Sequence, residues 1–191
     1  MRTRLLIVLA IIFQLAMFVS PGEAQDFKLD AKGLSQMRFP SPEGVAAKKY
    51  LGLSDAPEFT LGQIGSEAVL VMIFSMYCPV CQKDAPVVNQ LYQMIESDPN
   101  LRSKVRFIGI GTGNTPYEVE VFQKKFSIKF PLIPDDDFSI QKISSHDIRT
   151  PTFALARKKA GNQLEILKIK VGEIREAREF FDSISRLLVS R

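Results

Sequence analysis

Residues 68–81 read Ala-Val-Leu-Val-Met-Ile-Phe-Ser-Met-Tyr-Cys-Pro-Val-Cys. The first seven form an unbroken apolar run, the pattern of a strand buried on both faces of a sheet. The chain's only two cysteines, Cys78 and Cys81, close the stretch. A helix-like segment follows to about residue 95, with Val87, Val88, Leu91, Tyr92 and Ile95 on its inner side. The strand therefore delivers a Cys-x-x-Cys to the start of a helix. Unpaired N–H groups and the positive end of the helix dipole stabilise a thiolate on the first cysteine there. Pro79 falls at the first helical position, where its missing N–H costs nothing. Pro86 lies deeper and is expected to kink the helix, because it removes a hydrogen bond and crowds the preceding turn.

Working outward, residues 105–110 predict a second buried strand, ended by Gly111-Thr112-Gly113-Asn114. An amphipathic helix over 117–126 and a short strand over 130–133 come next. Asp135-Asp136-Asp137 reads as a turn and the cap of a small helix over 138–144. Residues 152–156 and 164–171 predict two strands, joined through a turn at Gly161-Asn162. A last helix over 173–189 carries Ile174, Ala177, Phe181, Ile184 and Leu188 as its apolar stripe. Upstream, residues 25–57 are rich in Pro, Gly, Ser and charge. They read as an N-terminal extension, with a short helix over 45–50 ended by Gly52. Residues 58–61 could add an edge strand, and a domain over 58–191 follows. The order is βαβαβ(α), a β-hairpin, then α. It predicts an α/β fold with a mixed sheet between helices.

The chain has 191 residues, of which 46% are hydrophobic, enough for a substantial core. Its first 24 residues resemble a secretory signal. Arg2 and Arg4 precede an apolar stretch over 5–19, and small residues frame a cut after Ala24. The stretch is short for a membrane span, which needs about 20 residues. The alternative is an uncleaved anchor with the domain facing outward. Basic residues come as scattered pairs with no aromatics between them. That is a solvated surface and argues against nucleic-acid partners. Export places the cysteines where disulfides persist. A bridge across so short a loop would make a poor structural staple, so a redox role is favoured. Zinc lacks a second ligand pair, and the reading assigns no metal and no cofactor.

These pieces together resemble the thioredoxin-fold proteins, and within them the exported TlpA/ResA-type thiol–disulfide oxidoreductases. The resemblance rests on the strand into Cys78-Pro79-Val80-Cys81, Pro86 in the helix, the inserted helix and strand over 117–133, Thr150-Pro151-Thr152 ahead of a strand, and Val171-Gly172 before the final helix. It implies a thioredoxin-like mixed central sheet with an inserted helix-strand, and it implies roles. Cys78 would attack, and Cys81 would resolve the mixed disulfide. Pro151 would be cis, with Thr150 offering its backbone to an extended substrate segment. ResA-like proteins carry a glutamate where this chain has Asp84, an acid that would tune the cysteines and move protons. The buried acid of thioredoxin itself falls at Met72, which cannot ionise. The implied partners are a protein carrying a disulfide and a membrane electron donor. The implied setting is the periplasm or another exported site, often in cytochrome c maturation.

Two alternatives compete. In a peroxiredoxin-like thiol peroxidase, Ser75 would stand three before the reactive Cys78 and Arg149 would aid the thiolate, but the proline expected seven before the cysteine is replaced by Val71. A copper carrier of the Sco type would need Cys-x-x-x-Cys and a histidine nearer the last strand. His146, the sole histidine, reads as an exposed loop residue.

Overall fold

The computed structural model describes residues 27–189, so the signal-like segment over 1–24 lies outside the described residues. The apolar run Ala68–Phe74 forms strand β3, and all seven of its residues are buried. It is the middle strand of a five-stranded sheet. Val105–Thr112 (β4) and Leu132–Asp135 (β5) lie to one side, Thr152–Lys158 (β6) and Leu164–Val171 (β7) to the other. β3 pairs parallel with β4, Leu70 against Phe107, and antiparallel with β6, Leu70 against Leu155. β4 and β5 are parallel, and β6 and β7 form an antiparallel hairpin. The mixed α/β sheet expected from the sequence is therefore present.

The two-residue period of a strand sends alternate side chains of β3 into two separate cores. Ala68, Leu70, Met72 and Phe74 meet Cys81, Val88, Leu91 and Ile95 of helix α3 (Pro79–Ser97) and Ile184 and Leu188 of helix α5 (Ala177–Val189). Val69, Val71 and Ile73 point the other way, onto Leu34, Phe39, Leu51, Phe59 and Ile64. The N-terminal extension thus covers a whole face of the sheet. It does so with helix α1 (Ala31–Gln36) and helix α2 (Val45–Leu51). Asp30 caps α1 by accepting the N–H groups of Lys32 and Gly33 at 3.1 and 3.0 Å. Gly52, in the left-handed region at φ 66°, ends α2 as expected. Tyr50 adds a brace beyond the reach of β5. Its hydroxyl accepts the Phe107 N–H at 3.0 Å and its carbonyl accepts Arg106 Nε at 2.5 Å.

Several boundaries differ from the sequence expectations. The expected edge strand is only Glu58–Phe59 (β2), and it pairs with Phe39–Pro40 (β1) as a separate ribbon, not with the main sheet. Thr60 and Gln63 form a capping box that turns the chain into a 3-10 turn at Leu61–Gln63 and ends the strand. β4 runs through Gly111 and Thr112, which pair with Pro134 and Asp135. β5 starts at Leu132, because Phe130 leaves the strand register to stack on Phe107 at 4.0 Å. The segment after Asp137 is a 3-10 turn, Ser139–Ile143, with Asp135 accepting the Ser139 and Ile140 N–H groups. α3 continues through Pro86 to Ser97. Helix α4 (Pro116–Lys125) begins in a capping box of Thr115 and Glu118. α5 begins at Ala177, after Gly172 in the left-handed region at φ 85° and an Ile174 N–H bonded to Asp84.

Candidate active site

Cys78 is the N-cap of α3, with Pro79 at the first helical position. Both cysteines are free thiols, Cys78 half-buried and Cys81 fully buried. The Cys81 N–H donates to Cys78 Sγ at 3.3 Å, and the Cys78 thiol donates to the Thr150 carbonyl at 3.2 Å. Partial burial pushes the Cys78 thiol up. Hydrogen bonds from the Thr150 and Cys81 side chains and from the Cys81 and Val80 N–H groups outweigh that push. The net effect holds Cys78 below the ordinary thiol value of 9.0. Cys81 behaves oppositely. Burial, then its bond to Cys78, raises it far above that value despite relief from the Ser75 backbone. The two sulfurs, one helical turn apart, are thus driven in opposite directions.

Thr150 and Pro151 approach from the loop ahead of β6, and the bond between them is cis. Pro151 is buried, and its carbonyl accepts the Gly172 N–H at 2.8 Å. Thr152 Oγ1 closes the turn on the Arg149 carbonyl at 2.6 Å. The Thr150-Pro151 segment therefore sits against the Cys78 sulfur, with the Thr150 carbonyl engaged by it. Arg149 itself is exposed. His146 is also exposed, with Nδ1 2.9 Å from Ser145 Oγ.

Asp84 lies one turn beyond Cys81 and is 4% exposed. Its Oδ2 accepts the Ile174 N–H at 3.0 Å. Burial raises this carboxyl above its ordinary range. The Ile174 bond opposes that, Glu173 adds to it, and Lys170 and Lys83 oppose it again. Met72, at the position of the thioredoxin acid, is buried in the same core as Cys81.

The sequence reading passed over three residues that hold the turn before Cys78. Asn114 Oδ1 accepts the Met76 N–H at 2.8 Å, and Gln82 Nε2 donates to the Met76 carbonyl at 2.8 Å. The Tyr77 hydroxyl donates to Glu118 at the start of α4. Thr115-x-x-Glu118 was readable as a capping box. Asn114 had been read only as part of the turn that ends a strand. That its amide returns to Met76 depends on the left-handed Gly113, at φ 63°.

No protein-family model matches the chain. The thiol-disulfide oxidoreductase ResA of Geobacillus thermodenitrificans is 25% identical over 92 residues, 43% of this chain and 50% of the relative. StoA from Bacillus subtilis superposes with a TM-score of 0.51 at 23% identity, covering 65% of this chain and 87% of StoA. A secreted Mycobacterium tuberculosis disulfide oxidoreductase homologous to E. coli DsbE superposes at 0.53 with 16% identity, covering 80% and 96%. This chain is a thioredoxin-fold protein, similar to ResA and StoA. It spans about half the length of the ResA sequence it matches. The Cys-x-x-Cys helix start follows the middle strand β3 and the Thr150-Pro151 loop precedes its neighbour β6, so the two stand side by side at one end of the sheet.

Proposed function

We propose that this chain is an exported thiol–disulfide oxidoreductase that reduces disulfides in protein substrates through Cys78 and Cys81. The observation that carries the reading is the asymmetry of the two sulfurs. Cys78 is accessible and held below the ordinary thiol value, while Cys81 is buried and held above it. The Cys78 thiolate attacks one sulfur of the substrate disulfide, and the other sulfur leaves as a thiolate. Cys81 then loses its proton and attacks Cys78 Sγ. The second substrate sulfur leaves, two electrons have passed to the substrate, and Cys78–Cys81 is a disulfide. A dithiol donor in the membrane reverses the exchange and restores the pair.

Asp84 is the buried carboxyl nearest in sequence to Cys81 and is the acceptor we assign to its proton. Thr150 and Pro151 present the surface along which an extended substrate segment lies. The relatives' names support the chemistry, and the signal-like segment over 1–24 supports export. Cytochrome c maturation is one setting for such a reductant. The peroxidase alternative gains nothing from the residues it needs. Ser75 holds the turn by accepting the Tyr77 N–H at 3.4 Å, and Arg149 touches the site through its carbonyl.

The test is a pair of variants offered a protein disulfide such as insulin. Cys81→Ser should accumulate a mixed disulfide on Cys78, and Cys78→Ser should form none. Asp84→Asn should slow release of the second substrate thiol while leaving the first attack intact. Equal rates of both steps in Asp84→Asn and the parent would remove Asp84 from the mechanism.

A further inference from the structure

Met76, the residue that leads into the Tyr77-Cys78 turn, has both of its backbone groups held by side-chain amides. Asn114 follows β4 and is fully buried. Its Oδ1 takes the Met76 N–H at 2.8 Å, while its own Nδ2 donates to the Gly113 carbonyl at 3.1 Å. Gln82 lies one turn into α3, four residues after Cys78, and its Nε2 holds the Met76 carbonyl at 2.8 Å. These two amides come from different elements, one after the neighbouring strand and one on the redox helix. Between them the turn completes itself, since the Ser75 carbonyl accepts the Cys78 N–H at 3.0 Å.

We infer that Asn114 and Gln82 are positioning residues for Cys78, fixing through Met76 where its sulfur stands relative to the Cys81 N–H and Thr150. The inference rests on Cys78 being the attacking sulfur. The physical reason is geometric. Sulfur contacts at 3.2–3.3 Å are short enough that a small shift of the turn weakens them. Neither the N–H nor the carbonyl of Met76 can move without breaking a side-chain bond. The turn therefore stays in place while the Cys78 sulfur changes partner between thiol and disulfide, and the change is confined to one side chain. Asn114 also carries its constraint to β4. Gly113 adopts φ 63°, and a Cβ there would lie 2.3 Å from the Phe138 ring, so the turn that aims Asn114 is itself specified by sequence.

The experiment is the rate of iodoacetamide alkylation of the reduced protein as a function of pH, for the parent, Gln82→Met and Asn114→Ala. Melting temperatures are measured alongside. Alkylation reads the sulfur directly, so its outcome is independent of whether the chain reduces protein disulfides. Each variant should move the alkylation midpoint upward. Each should also slow alkylation at pH 6 by about three- to ten-fold, the size of one net hydrogen bond lost at the sulfur. Gln82 is only half-buried and its methionine variant keeps the chain length, so it decides alone if Asn114→Ala fails to fold. A midpoint that stays put or moves down, with or without a lower melting temperature, reduces the amides to a structural brace and overturns the inference.

Discussion

At the scale of single residues, the proposed chemistry depends on two sulfurs whose protonation is driven in opposite directions. Cys78 is held low, so the stability it contributes to the reduced protein is fully present above 9.0 and is lost as pH falls through the lowered value. The stability of the reduced parent relative to Cys78→Ser should therefore rise as pH climbs from the acid side toward 9, measured by denaturant unfolding. Asp84 has the opposite sign. Its carboxyl is raised, so its contribution is full at pH below 3.8 and declines as pH rises through the raised value. Asp84→Asn keeps an oxygen for the Ile174 N–H and carries no charge. It should flatten that decline and be at least as stable as the parent at pH 7; a clearly less stable variant would contradict this. The placement of Cys78 and Cys81 at a helix start was legible from the apolar run before them, and that of Asp84 on the Cys81 face from its three-residue spacing. The Asp84–Ile174 bond was not, since it joins residues 90 apart in the chain.

At the scale of elements, the strand and helix types were readable wherever an apolar run or stripe was long, as in β3, β4, α3 and α5. The ends were not, because local side-chain bonds decide them. Thr60 with Gln63 stopped β2 and turned the chain into the 3-10 turn that follows. Thr115 is such an end group for α4: its hydroxyl accepts the Glu118 N–H, and Glu118 in turn takes the Tyr77 hydroxyl beside the cysteines. Thr115→Ala should cost about 1 kcal/mol, seen as a lower denaturant midpoint with unchanged slope. Gly113→Ala should cost about 1–2 kcal/mol from its left-handed backbone alone.

At the scale of the whole molecule, the sheet has two cores, and the second exists only because residues 27–64 cover it. A Pro- and Gly-rich stretch reads as an appendage, yet Leu34, Phe39, Leu51 and Phe59 are each 0–3% exposed against β3. Composition hides this because the apolar residues are few and far apart, and only the fold gathers them. Burying four such side chains contributes on the order of 6–12 kcal/mol, comparable to the net stability of a whole domain. A fragment comprising 65–191, which lacks all four, should therefore lack a cooperative thermal transition and bind a hydrophobic dye. In the proposed function the fold serves one pair of thiols, and the most direct test is equilibration of Cys78 and Cys81 against glutathione buffers of graded potential. The Cys78–Cys81 pair should show a reversible two-electron transition on the reducing side, roughly −270 mV as in thioredoxin. A pair that does not exchange with glutathione, or one that titrates near the oxidant value of about −120 mV, would contradict it.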